Sequence, residues 1–457
     1  MKKFRFIFVF VFIAAMILTA CGDSGSVKSI SLSKNELTLR VGEEETLTVA
    51  FNPADTANKV VTWTTSNAAA ATVSVTGKIT AVAEGEAVIT AKSADGNKTD
   101  TCVVTVVPEG SEIVTNPKPI DGIPILFDEG LSYYNINPEV LYTDANTMYV
   151  YYTVNKTANG EDDVIAVRRA TLNSGVWVYS SKSVVLQPTA DSWDSERVSN
   201  PSVVAGKFNY DGEEYGYLMA YQGNNTEDTD NFGIGFAVAK DPAGPFVKTG
   251  ASAAVSYDGG AYGEFWGIGQ PSLVSYDGEG CVYLFYTMGD PISTQTYVME
   301  LDCSDMEDID GLDIASALTT NGLSESNPYI TFNDAGFALD VVGGYLYTVR
   351  NVNPPSANAP VLHTSVQMAR LPIADLYSQT GEWEVIKNIS MFDLVDWEID
   401  GNTGWKRIYS GCFATDAYGG ITDNEELTVA ITVTSWDIET KEYLHYQTMA
   451  MCTFDND

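Results

Sequence analysis

Five residues that hydrogen-bond well, Asn137, Asn200, Gln270, Asp334 and Ser410, each open an apolar run in the second half of this 457-residue chain, at separations of 63, 70, 64 and 76. Four are neutral amides or a hydroxyl that both donate and accept, a combination that suits sugar hydroxyls. Asp334 is the one acid in the register, which makes it the leading candidate for proton transfer. The same residues also fit a plainer role, capping strand starts and satisfying backbone groups.

The elements that must position them repeat as well. Each opening precedes a Tyr-rich or β-branched run (MYVYYTV at 148–154, YGYLMAY at 215–221, VYLFYTM at 282–288, GYLYTVR at 344–350, LTVAITV at 427–433) and then a third apolar run. Five antiparallel sheets at this period describe a five-bladed β-propeller over residues 123–457, with the inner strands all starting at one mouth of one channel. Ile123–Phe127 is expected to close the ring as the outermost strand of the last blade, since closure removes an exposed edge.

Other carboxylates lie on or near the inner strands. Glu139 shares a strand face with Asn137; Asp194 and Glu196 precede Asn200, Glu264 precedes Gln270, and Asp340 follows Asp334. Glu139, Glu196 and Glu264 join Asp334 as catalytic candidates, each weighed against an ordinary solvated acid in a chain with 61 of them. Trp193, Phe265 and Trp266 could stack on sugar rings. Arg197, Arg350 and Arg407 could read a sugar carboxylate.

No cofactor or metal is expected. The chain's 2 histidines, His363 and His445, leave little material for zinc or a Ser-His-Asp triad. The acid run at 302–313 lacks the ligand order of an EF-hand. Cys281 and Cys303, on the second and third strands of one blade, could bridge adjacent strands; Cys412 and Cys452 fall on the first and third strands of another, and buried free thiols fit the sequence equally.

Residues 1–20 run from Lys2, Lys3 and Arg5 through FIFVFVFIAAMIL to a small-residue processing site, the pattern of a signal peptide. Leu18-Thr19-Ala20-Cys21 resembles the bacterial lipobox, which implies lipidation at Cys21 and an extracytoplasmic envelope location, with 21–26 as a tether. Loss of the three basic groups takes Lys+Arg from 25 to 22 against 61 acids, moving the net charge from −36 to −39. Such a surface repels phosphate backbones and anionic headgroups, so nucleic acid is excluded and the membrane is reached only through the lipid.

Residues 27–107 alternate apolar and polar positions between turn signals such as Val41-Gly42 and Asn52-Pro53, which predicts a β-sandwich of about seven strands. The Ile30-Ser31-Leu32 opening, Val61-Thr62-Trp63, Val73-Ser74 with Gly77, and Ile79-Thr80-Ala81-Val82 resemble the bacterial Ig-like group 2 family, a spacer or adhesive module, with Trp63 read as core. Residues 108–122 read as a linker.

NPEVLYTDANTMYVYYTV, VSNPSVV with FGIGFAVAKDPAGPFVKTG, and GQPSLVSYDGEGCVYLFYTMGD resemble glycoside hydrolase family 43 and its relatives. That resemblance implies a general-base Asp at the opening of blade one, a pKa-modulating Asp in blade three and an acid Glu in blade four. This chain has Asn137 and Gln270 at the first two positions, and amides cannot replace a carboxylate pair. Three readings follow: a divergent glycoside hydrolase using Asp334 with a relocated acid, a non-catalytic glycan-binding propeller, and an adhesin that binds through its Ig-like domain. Their shared expected ligand is a carbohydrate.

Overall fold

The computed structural model describes residues 26–54, 56, 58–108, 112–114, 119–120, 123–124, 134–156, 163–173, 176–226, 232–256, 267–289, 294–323, 334–352, 365–390, 407–423, 425–434 and 447–456. Contacts divide the chain into two compact units, Met1–Glu109 and Gly110–Asp457. Almost every described element is a strand. The signal segment and Cys21 lie outside the described residues.

The first unit is a sandwich of nine strands. Glu36–Arg40, Thr99–Val107, Gly85–Ser93 and Val61–Thr65 form one sheet in that order, and Glu44–Thr46, Lys78–Ala81 and Ala71–Val73 form another. Ser29–Leu32 pairs with Val49–Asn52. Alternation places Ala87, Ile89 and Ala91 inward on one strand, where they join Leu39, Ile79, Cys102 and Val104 in the core. Gly77 has a positive φ, and a Cβ there would come within 2.7 Å of the half-buried Trp63 ring, so the turn and the Trp fit together only with glycine.

The second unit is the propeller. Blade one runs Asn135–Asp144, Thr147–Asn155, Asp163–Asn173 and Val176–Tyr179, and blade two Arg197–Tyr210, Glu213–Asn224, Gly233–Ala239 and Val247–Lys248. Blade three is Gly267–Ser275, Cys281–Gly289, Thr294–Asp302 and Ser316–Ala317, and blade four Gly336–Asp340, Tyr345–Val352, Ser365–Pro372 and Glu384–Ser390. Blade five comprises Arg407–Asp416, Glu426–Thr434 and Gln447–Asp455. Apolar residues on both sheet faces make one core cluster at each of the five blade interfaces, around Val203, Leu273, Phe337, Phe413 and Val140. The ring closes because the fifth of these joins blades five and one, where the inner strands also pair in parallel from Val140 opposite Ala414.

Two sequence expectations change here. Ile123–Pro124 pairs with Pro119–Ile120 in a hairpin beside the third strand of blade five and is not hydrogen-bonded to it as a fourth strand; residues 125–127 lie outside the described residues. Within the expected linker, Glu112–Val114 forms a strand on the outer edge of blade one, opposite Trp177–Tyr179. The described cysteines are all free thiols.

Candidate functional site at the channel mouth

The five polar openings share one backbone feature. Asn137, Asn200, Gln270, Asp334 and Ser410 have φ of 53°, 49°, 53°, 45° and 46°, and they are five of the eight non-glycine residues with positive φ among those described. Left-handed backbone is costly for a residue with a Cβ, least so for Asn and Asp, and persists where surrounding structure over-determines it. In blades one, two, three and five the pairing register slips at this residue, as in a β-bulge. All five residues line one cavity of about 40 Å³, room for about three waters.

A second set of residues, not singled out from sequence, holds the ring in place. Thr153, Gln222, Asn351 and Thr432, near the mouth ends of the second strands, accept the backbone N–H of Asn200, Gln270, Ser410 and Asn137 in the next blade, at 3.0, 2.9, 2.8 and 3.1 Å. A polar residue near the end of each run, Thr153 and Thr432 within it and Gln222 and Asn351 one position past it, was the available signal. Between blades three and four the rule breaks: Thr287 bonds Thr296, and the Asp334 N–H donates instead to Gln270 Oε1 at 2.9 Å.

The side chains of the ring are largely committed to each other. Asn137 Nδ2 donates to Ser410 Oγ at 2.6 Å, and Gln270 Nε2 donates to Asp334 Oδ1 at 2.7 Å. Asn351 Nδ2 donates to Asp334 Oδ2 at 3.0 Å, so both carboxylate oxygens act as acceptors. The Asn200 side chain, half-buried, makes no hydrogen bond to a described residue.

Two residues deeper, a second tier stitches the inner strands. Ser202 Oγ and the Val203 N–H donate to Glu139 Oε1 at 3.1 and 3.2 Å, the Leu273 N–H donates to Ser202 Oγ at 2.9 Å, and the Phe337 N–H donates to Ser272 Oγ at 3.0 Å. Glu139 therefore occupies a position that hydroxyls fill in the next two blades. It touches the channel but is surrounded by protein, and burial pushes its pKa up to about 8 against the opposing pull of the Val203 and Ser202 bonds. Gly336 takes the equivalent place in blade four, where a Cβ would lie 2.6 Å from Gly411 O.

The remaining candidates sit elsewhere. Glu196 is half-buried and its N–H donates to Asn224 O at 3.0 Å, while Arg197 faces Asp163, whose pKa burial raises to about 7 in spite of that guanidinium. Arg350 is fully buried and donates to Gln367 Oε1 at 2.5 Å, inside blade four. Asp340 lies at the opposite end of its strand from the mouth, where it accepts the Gly343 N–H at 2.7 Å. Trp193 stacks on Tyr221, centroids 5.7 Å apart, and covers Gly223 and Gly235, where a Cβ would approach its ring to 3.1 and 2.6 Å. Beside it, buried Asp194 accepts the Tyr221 hydroxyl at 3.0 Å and pairs with Lys248. Glu264, Phe265 and Trp266 lie outside the described residues, as does the Arg407 side chain. Among the described residues, no group of three or more His, Cys, Asp or Glu is placed to hold a metal ion.

The fold and mouth define an all-β protein that joins an Ig-like sandwich to a five-bladed propeller. Residues 26–104 match the family described as bacterial Ig-like domain (group 2). The chain is 46% identical over 90 residues to an Ig-like virion protein of Serratia phage KSP90, a match covering 20% of this chain and 35% of that protein. It is 39% identical over 104 residues to an uncharacterised protein of Clostridium acetobutylicum, covering 22% and 11%. The matches thus span about a third or less of these relatives' own length. Among solved structures, it is similar to a thermostable family-43 glycoside hydrolase, with 16% identity, 74% of this chain and 92% of that one covered, and a TM-score of 0.44. The endo-arabinase from Bacteroides thetaiotaomicron gives 13%, 71%, 95% and 0.41, and the alpha-L-arabinofuranosidase from Lactobacillus brevis 12%, 72%, 93% and 0.46.

Proposed function

We propose that this chain is a cell-envelope lipoprotein whose propeller binds a glycan across the mouth of its channel. Asn200 carries the reading: its amide is left unsatisfied by described residues in a ring whose other four members bond one another. The sugar lies across the mouth, with ordered water in the cavity bridging its hydroxyls to the ring. The partly exposed Asn200, Gln270 and Asp334 offer the direct contacts. A glycan-array screen of the mature protein tests this, and the absence of any saturable glycan removes it. Anchoring rests on the Leu18-Thr19-Ala20-Cys21 tetrad, so Cys21→Ser should release the protein from membranes or leave it unprocessed.

Hydrolysis is the second reading, favoured by Glu139 and Asp334 lining one cavity in unlike environments. Burial raises the pKa of the Glu139 carboxyl to about 8, while the Asp334 carboxyl accepts from Gln270 and Asn351, so the cavity offers the two carboxyls that glycoside hydrolysis needs. In that case wild-type protein releases reducing sugar, and Asp334→Asn lowers turnover by roughly 10²–10⁴-fold with affinity kept. Release unchanged by Asp334→Asn takes Asp334 out of the mechanism.

A further inference from the structure

Carboxylates beside tyrosines recur in the propeller, and each of three such pairs is filled by a cation of this chain. Lys240 pairs with Glu213 and lies 5.6 Å over the Tyr215 ring. Lys248 pairs with Asp194 and lies 5.5 Å over Tyr221. Arg370 bonds Glu384 at 2.7 Å and lies 4.9 Å over Tyr345. The geometry is the same each time: a carboxylate takes the charge, and the ring face takes the cation's apolar flank.

A fourth cluster is larger and has no cation among the described residues. At the edge between blades three and four, Tyr276 and Tyr377 donate their hydroxyls to the two oxygens of Glu300, at 3.1 and 2.9 Å. Tyr283, the cross-strand partner of Glu300, packs against Tyr276 with ring centroids 4.6 Å apart. Glu300 and Tyr377 are exposed, the other two rings are half-buried, and no described Lys or Arg pairs with Glu300. Each carboxylate oxygen keeps a lone pair after accepting its phenol. The two hydroxyls fix the carboxylate, so little side-chain freedom remains to be lost on binding.

We propose that the Tyr276, Tyr283, Tyr377 and Glu300 cluster is a seat for an organic cation, an alkylammonium or guanidinium group, supplied from outside the chain. The net charge of −36 draws such groups toward the surface, and the tyrosines select an organic cation over a simple ion. The site is independent of the channel mouth and of any glycan bound there.

Titration of the mature protein with n-butylammonium and with N-acetyl-arginine amide, followed by NMR of tyrosine ring protons, tests the small-molecule source; a Lys/Arg-containing decapeptide tests the peptide source. The expected result is saturable binding that shifts Tyr276 and Tyr377, weakened about threefold to tenfold by Glu300→Gln and by raised salt. Glu425→Gln, an exposed acid elsewhere, should leave it unchanged. Thermal melts of all variants should coincide with wild type, because the substituted groups are exposed. Tighter binding of the decapeptide than of the small cations assigns the seat to a peptide, and equal binding assigns it to a free amine or guanidine. No saturable binding, equal weakening by both substitutions, or a neutral sugar shifting the same tyrosines would each overturn the proposal.

Discussion

Asn351 joins Asp334 to the next blade: its Nδ2 donates to Asp334 Oδ2 at 3.0 Å while its Oδ1 accepts the Ser410 N–H at 2.8 Å. One buried amide thus orients the one acid among the five openings and tethers blade five to blade four. Asn351→Leu leaves a carboxylate oxygen and a buried N–H without their partner. The expected cost is about 2–4 kcal/mol in urea denaturation of the propeller, since each unsatisfied buried group costs about 1–3 kcal/mol. A loss under 0.5 kcal/mol would show that water replaces the amide.

The elevated pKa of Glu139 links stability to pH. Between its unfolded value near 4.3 and its folded value of about 8, the folded chain binds more protons than the unfolded one, so stability falls as pH rises through that window and levels off above it. Asp163, raised to about 7, adds a slope of the same sign at lower pH. Glu139→Gln keeps an oxygen for Ser202 and Val203 while removing the titration. The variant should lose less stability than wild type between pH 5 and pH 8.5 in paired denaturation curves; parallel curves would contradict this account.

Asn200 separates recognition from architecture. Its backbone N–H bonds Thr153, and its side chain bonds no described residue. Asn200→Ala should therefore weaken glycan affinity by about 0.5–1.5 kcal/mol, the worth of one hydrogen bond. Its stability should stay within about 1 kcal/mol of wild type, with the left-handed backbone as the only penalty. Calorimetric titration beside a thermal melt distinguishes the two effects.

The ring of Trp193 rests on Gly235, where a Cβ would come within 2.6 Å of Trp193 Cζ2 and 2.7 Å of the Tyr221 hydroxyl. Gly235→Ala should displace both rings and cost about 1–3 kcal/mol, and Trp193→Ala about 3–5 kcal/mol. Near-UV circular dichroism and chemical denaturation read these changes. If Trp193→Ala leaves stability unchanged but abolishes glycan binding, the ring serves as a platform and not as packing.

What the sequence determined by itself was whatever repeats locally. Tyr-rich runs at near-regular spacing gave five blades, alternation in residues 27–107 gave the sandwich, and a polar residue opening each inner strand marked the mouth, because strand periodicity and turn chemistry are written within a few residues. The partners of those residues were not legible, since they come from neighbouring blades: Gln270 meets Asp334 across 64 positions and Asn137 meets Ser410 across 273. Tertiary structure alone decided that the openings are left-handed, that Asn200 is spared from the ring, and that Glu139 does a hydroxyl's work between blades one and two. It also turned Trp193 onto the glycines of blade two, sent Asp340 to the far end of its strand, and gathered three tyrosines around Glu300. Each of these depends on which strand faces which, and the closed ring of blades fixes that only once all five interfaces have packed.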